Sequence, residues 1–305
     1  MNILVVGAGA IGSLFGGLLS KKNTVVLVGR QPHINVIRHE GLIIKGKTHL
    51  QRKIPAVDSL KDIQIDSDLI LLCVKSYDTV TASQQIASLV HKESVVLSLQ
   101  NGLDNIEKIE EVIGRNHILA GVTTQGATYS NPGTISHTGK GRTILGELDG
   151  HYTKRLDTIL KVFNDAGIET IASNVIKKEI WAKAIINSSI NPVTTILNCK
   201  NGYLLENPLL EHIVAYICEE STNVAQKEGM LLTSTEMIRR TKEVISETAK
   251  NHSSMLQSVL HGKKTEIDSI NGLLASLGKN HGVSTPLNEI LVSVIHSLSK
   301  HNQNV

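Results

Sequence analysis

An aliphatic run, Ile3–Val6, leads straight into Gly7-Ala8-Gly9-Ala10-Ile11-Gly12, and a helical pattern, Ile11–Leu19, begins over those glycines. Alone, G-x-G-x-x-G is a weak signal, because glycine-rich turns that hold no ligand also match it. Between a strand and a helix it constrains the chain far more. Gly7 permits a tight turn, Gly9 lets the backbone approach a pyrophosphate, and Gly12 allows helix and strand to pack closely. The backbone at Ala10 and Ile11 then stands at a helix N-terminus, whose free N–H groups and positive dipole end suit an anion. The ligand class expected at these six residues is a dinucleotide.

The rest of the first half keeps the same rhythm. Val25–Val28, Leu69–Val74, Val95–Leu99 and Ile118–Val122 are near-continuous aliphatic runs alternating with helical patterns, the signature of parallel strands buried on both faces. Residues 126–148, with Pro132-Gly133, Gly139, Gly141 and Gly146 between β-prone pieces, read as strands with tight turns added to the sheet edge. Leu156, Ile159, Leu160 and Phe163 recur at helical spacing before a C-capping Gly167.

From about Lys177 the strand signals stop, and helices are expected over 179–189, 208–228, 234–250, 254–260, 266–277 and 287–300. The expected fold is α/β: a Rossmann-type doubly wound domain over 1–174, followed by an all-helical domain over 175–305 that ends in a polar tail, His301–Val305.

Composition excludes several function classes. A net charge of +3 without a basic stripe or arm argues against nucleic acid. Cys73, Cys199 and Cys218 are too widely spaced for a disulfide scaffold or a structural zinc site. The 13 histidines offer no ligand pair, so no metal is expected, and His33 and His137 read as ordinary loop histidines. No apolar run reaches the roughly 18–20 residues needed to cross a bilayer. The first residues already read as a strand rather than a signal peptide. The expected setting is the cytoplasm, with no membrane partner.

Two further features bear on the ligand. The second strand ends in Gly29-Arg30, where NAD-specific Rossmann domains commonly carry an acidic residue for the ribose hydroxyls. A guanidinium there suits a 2′-phosphate, so NADPH is expected, with NADH as the alternative. Arg30 as a merely solvated loop residue is the competing reading. Lys75 and Asn101 each follow a strand and are expected at the same carboxyl-end crevice, although Asn101-Gly102 also matches a common turn.

In the helical half, Lys183, Asn187 and Asn191 recur every four residues along one helical face. The crowding by Ile185, Ile186 and Ile190 argues for a polar cleft rather than a solvated stripe. Asn191 precedes Pro192, which predicts a break or kink there.

Several segments together resemble the ketopantoate reductase (2-dehydropantoate 2-reductase) family. They are GAGAIG, CVKSYD, LQNG, PGTISHTGKG, the run from Trp181 to Pro192, Asn201-Gly202, Ser253-Ser254-Met255-Leu256-Gln257 and Thr265-Glu266-Ile267-Asp268. The resemblance spans the whole chain.

It implies hydride transfer from NADPH to the 2-keto carbon of 2-dehydropantoate, giving pantoate for pantothenate and coenzyme A synthesis. Lys183 matches the family's general acid, and Glu266 the active-site glutamate that positions substrate and coenzyme and acts on Lys183. Ser254 matches the serine on the substrate carboxylate. Asn187, Asn191 and Asn201 match polar substrate contacts, and Asn101 the residue beside nicotinamide and keto acid. Thr265–Asp268 also reads as a helix-capping sequence.

One position departs from the pattern: Ser258 stands where many members carry Asp, which bears on the substrate. A reductase of another small 2-keto or imino acid and a non-catalytic dinucleotide sensor remain the rival readings. A homodimer is one open assembly.

Overall fold

The computed structural model describes residues 1–63 and 65–301, so residues 302–305 of the polar tail lie outside the described residues. The chain divides into two compact units, one of Met1–Gln100 with Asn105–Ile176, the other of Asn101–Asp104 with the segment from Lys177 onward.

In the first unit, β1 (Asn2–Val6), α1 (Ala10–Leu19), β2 (Thr24–Val28) and α2 (His33–Glu40) open the chain. They are followed by β3 (Leu42–Gly46), β4 (Leu50–Arg52), β5 (Ala56–Val57), β6 (Leu69–Leu72), α3 (Thr79–Ile86), β7 (Val95–Ser98), α4 (Asn105–Ile113) and β8 (Ile118–Thr123). The unit closes with β9 (Gly126–Asn131), β10 (Thr134–Gly139), β11 (Thr143–Gly146), α5 (Lys154–Asp165) and β12 (Thr170–Ala172).

Eight strands form the main sheet in the order β12-β11-β8-β7-β6-β1-β2-β5. The pairs β5·β2, β2·β1, β1·β6, β6·β7 and β7·β8 are parallel, and β11 runs antiparallel to β8. Ile3, Leu4 and Val5 of β1 and Leu69 to Leu72 of β6 are buried regardless of which face they point to. That is why these strands carry unbroken aliphatic runs rather than an alternating pattern.

The hairpin β9–β10 does not extend the main sheet, as its sequence suggested. On that side β11 of the same segment pairs with β8 and β12 forms the edge, and the hairpin instead joins β3 and β4 in a second sheet, order β4-β3-β10-β9. The small sheet covers α1, whose last eight residues, Gly12 to Leu19, are all buried. Glycines make this double coverage fit. A Cβ on Gly16 would lie 2.4 Å from Leu27 Cδ2, and one on Gly17 would lie 2.6 Å from Ile44 Cδ1. The chain's two phenylalanines, Phe15 and Phe163, tie α1 to α5 with ring centroids 5.8 Å apart.

Neither His33 nor His137 is an ordinary loop histidine. His33 is buried at the start of α2, where its Nδ1 accepts the Gly133 N–H at 2.9 Å. The proton is therefore on Nε2, which donates to Ser13 Oγ at 3.0 Å. His137 is buried in β10 between Thr48 Oγ1 and Gln125 Oε1, each at 2.9 Å, and burial pushes its pKa down.

The second unit is helical: α6 (Ile176–Leu197), α7 (Tyr203–Glu206), α8 (Pro208–Lys227), α9 (Ser234–Glu247), α10 (Ser254–Leu260), α11 (Leu273–His281) and α12 (Pro286–His301). Ala182, Ile185, Ile186, Ile190 and Val193 of α6 pack with Val214, Ile217 and Cys218 of α8 and Met237 and Ile245 of α9. The 101–104 segment belongs here because Leu103 packs with Ala184, Val224 and Leu274, and its N–H donates to Ser269 O at 3.2 Å. Among the described residues, no helix is long and apolar enough to cross a membrane.

Candidate active site

The α/β unit builds an anion cradle at the C-terminal end of β1. Successive strands leave β1 toward β2 and β5 on one side and toward β6, β7 and β8 on the other. The carboxyl ends of β1 and β6 therefore flank a topological switch point. The glycine loop is pinned across it: the N–H groups of Gly7 and Ala8 both donate to Val28 O, at 2.9 and 2.8 Å.

Gly7 has φ +99°, and a Cβ there would lie 2.5 Å from the Val74 nitrogen. A Cβ on Gly12 would lie 2.2 Å from Gly7 O. Gly9 is different. A Cβ there would meet nothing within 4 Å, so the loop leaves open space at the N-cap of α1, where no side chain competes for the first-turn amides. This is the room a pyrophosphate requires, and the residues present fit it.

Arg30 follows β2 with 83% of its side chain accessible, but it is not simply solvated. Its Nη2 donates to Asp78 Oδ2 at 2.8 Å. Lys75 precedes the short turn Ser76–Asp78 that follows β6. Behind the loop, burial pushes the Cys73 thiol up to about 12, which makes it packing rather than a nucleophile.

In the helical unit, α6 carries Lys183, Asn187 and Asn191 on consecutive turns. Lys183 is only partly accessible, and its enclosure pushes the ammonium down to about 8, while the Glu266 carboxylate acts in the opposite direction. Glu266 is 7% exposed. It lies just before a π-helical turn, Asp268–Gly272, rather than in the expected helix over 266–277. Ile267 is the N-cap of that turn and provides no side-chain cap, so the capping reading of Thr265–Asp268 does not hold.

The expected break at Asn191-Pro192 does not occur either, since α6 runs through Pro192 to Leu197. Pro192 has no N–H for the Ser188 carbonyl, and Asn271 Nδ2 donates to that carbonyl at 3.0 Å. Buried Asn191 accepts at its carbonyl from Thr194 Oγ1 at 3.0 Å and Thr195 Oγ1 at 2.7 Å.

The serine pair at 253–254 divides its work. Ser253 is buried, caps α10 by accepting from Leu256 N at 3.2 Å, and receives Thr194 Oγ1 at 2.8 Å. Ser254 is exposed at the first position of α10. Its carbonyl accepts the Ser258 hydroxyl at 3.1 Å, so the residue at the family's usual Asp position bonds within its own helix.

Asn201 is buried, with Nδ2 donating to Thr248 Oγ1 at 2.9 Å and its N–H to Asn251 O, just ahead of α10, at 3.0 Å. Asn101 stands in the segment counted with the helical unit. Lys183 and Glu266 thus interact electrostatically, and Asn191 is tied to Ser253 through Thr194. Sequence reading missed Asp78, Ser253 and Asn271. The one local signal among them was Pro192, which always orphans the carbonyl four residues earlier.

A glycine loop at the switch point with room for a pyrophosphate, and a lysine of lowered pKa acted on by a carboxylate, fit the class of nicotinamide-dependent oxidoreductases. The chain belongs to the ketopantoate reductase family. The family model "Ketopantoate reductase PanE/ApbA" matches residues 3–150, and its C-terminal counterpart matches 175–299.

The 2-dehydropantoate 2-reductase of Pyrococcus abyssi is 40% identical over 97% of both chains. The solved PanE/ApbA family ketopantoate reductase of Ralstonia eutropha is 29% identical, with TM-score 0.90 over 99% of this chain and 100% of that one. A ternary structure of D-mandelate dehydrogenase with NADH and anilino(oxo)acetate is also 29% identical, with TM-score 0.92 over 99% of both chains.

Proposed function

We propose that this chain reduces 2-dehydropantoate to pantoate with NADPH, using Lys183 as the proton donor. The observation that carries the reading is the lysine itself: burial brings its pKa to about 8 while Glu266 favours its charged form. A donor poised near neutrality transfers a proton efficiently and still stabilises the developing alkoxide.

The coenzyme, when bound, supplies the hydride that reaches the carbonyl carbon. Lys183 Nζ gives its proton to the carbonyl oxygen, so the ketone becomes a secondary alcohol and the lysine is left neutral. Glu266 steadies the ammonium before transfer. Asn187, Asn191, Asn201 and Ser254 hold the substrate's polar groups, and Asn101 orients the keto acid.

Gly7, Gly9, Ala10, Ile11 and Gly12 cradle the pyrophosphate, with Arg30 and Lys75 at the adenosine end. The assignment of residues 1–174 to the dinucleotide and 175–305 to the substrate is part of this reading, supported by the limits of the two family models. A cytoplasmic setting is too, supported by three free cysteines.

The D-mandelate dehydrogenase likeness, together with Ser258, favours one second reading: a reductase of a different 2-keto acid. Both are tested by following NADPH oxidation with 2-dehydropantoate and with phenylglyoxylate, wild type beside Lys183→Ala. Turnover of 2-dehydropantoate that falls by about two to four orders of magnitude in the variant supports the reading. Turnover of phenylglyoxylate alone transfers the chemistry to the second substrate, and a fully active Lys183→Ala removes lysine from its role.

A further inference from the structure

We infer that Asp78 is a specificity-determining residue that holds Arg30 and thereby narrows the preference for NADPH over NADH. The inference rests on the proposed coenzyme reading and deepens it. Strand order places β1 between β6 and β2. Arg30 follows β2, Asp78 ends the turn after β6, and their ion pair, Nη2 to Oδ2 at 2.8 Å, spans the end of β1 where the glycine loop begins. The position just past the second strand is where Rossmann domains meet the adenosine ribose. An arginine there serves a 2′-phosphate only as far as its donors are available.

Asp78 occupies the N-cap position of α3, where a carboxylate ordinarily accepts from the first-turn amides. It makes no such side-chain cap, and its carboxylate accepts from Arg30 instead. Two consequences follow for a 2′-phosphate, which carries close to two negative charges at neutral pH. It must compete with the carboxylate for the guanidinium, and it lands beside a like charge. The uncharged 2′-hydroxyl of NADH meets neither obstacle.

The test uses the full chain with Asp78→Asn and Asp78→Glu. Asparagine keeps the N-cap preference and the side-chain size, so the helix start is preserved. Dissociation constants for NADPH and NADH, read by nicotinamide fluorescence, give the ratio of affinities. Initial rates with 2-dehydropantoate give the ratio of kcat/KM.

The expected result is a rise of about five- to tenfold in the NADPH-over-NADH ratio for Asp78→Asn, carried by KM, with Asp78→Glu close to wild type. A merely structural role would weaken both coenzymes together and leave the ratio where it was. An unchanged ratio with both coenzymes still binding overturns the inference alone. So does a ratio that falls, since the pair would then be presenting Arg30 to the phosphate. Failure of the unaltered chain to bind either coenzyme brings down the coenzyme reading and this inference with it.

Discussion

Asn271 donates its side-chain amide at 3.0 Å to the carbonyl of Ser188, 83 residues away, which Pro192 leaves without its helical partner. Proline inside a helix both removes a hydrogen bond and crowds the carbonyl four residues earlier. Here the first defect is repaired from outside the helix. The same Nδ2 also reaches Asn288 Oδ1 at 3.0 Å, and Asn288 in turn donates to Glu220 Oε2 at 2.9 Å. Both carboxylate oxygens of Glu220 accept first-turn amides of α12, from Leu287 and Asn288. One largely buried polar chain therefore joins α6, the π-helical turn, α8 and α12.

Asn271 is 0% exposed, so Asn271→Leu should leave the Ser188 carbonyl and the Asn288 amide oxygen buried without this donor. The expected loss is about 2–3 kcal/mol of unfolding free energy. Urea denaturation followed by far-UV circular dichroism measures it. A midpoint unchanged from wild type would show that α6 does not depend on the repair.

The lysine gives a signed pH dependence. With Lys183 as the proposed proton donor, kcat/KM for keto-acid reduction should be level below pH 8 and fall tenfold per unit above about 8. Oxidation of the hydroxy acid should rise through the same pH. Stability carries the matching sign. The folded pKa, about 8, lies below the ordinary value of 10.5, so the unfolded chain holds more protons between them. Lys183 is therefore unfavourable to folding below pH 8, and that cost is relieved as pH rises from about 8 to 10.5. Comparing wild type with Lys183→Met in denaturant across this range checks the sign. A difference independent of pH would refute it.

Glu266 is the opposing influence on Lys183, so removing its charge lets burial act alone. Glu266→Gln should move the basic limb of the kcat/KM profile below its wild-type position, while a purely steric role would lower the rate and leave the limb in place. The full profile, rather than one rate at pH 7, separates the two.

What the sequence made legible was whatever is local. The β1–α1 glycine loop and the aliphatic runs of β1, β2, β6, β7 and β8 declare themselves because strand, turn and helix are contiguous. The spacing of Lys183, Asn187 and Asn191 is likewise contained within one helix. Partnerships across long separations were hidden. Arg30 looked open to a ligand because nothing near it names Asp78, 48 residues on. Pro192 looked like a helix end because its remedy is at Asn271. The hairpin β9–β10 was expected at the main sheet's edge because its own pattern is silent about β3, its parallel partner. Glu266 was legible through family resemblance alone, since no periodicity connects it to Lys183.

The two glycines of the phosphate loop make opposite predictions, which separates binding from folding. A Cβ at Gly9 meets nothing within 4 Å, whereas one at Gly12 would stand 2.2 Å from Gly7 O. Gly9→Ala should fold with stability within about 0.5 kcal/mol of wild type, because the methyl enters open space, proposed for the pyrophosphate, rather than space filled by protein. Its cost should appear as weaker coenzyme binding, on the order of tenfold or more. In Gly12→Ala the helix must move off the strand, so unfolding free energy should fall by about 1–3 kcal/mol, with coenzyme affinity falling as a consequence. Thermal denaturation and NADPH titration of both variants decide the matter. If Gly9→Ala binds NADPH as wild type does, the open space over that glycine is not where the phosphates go.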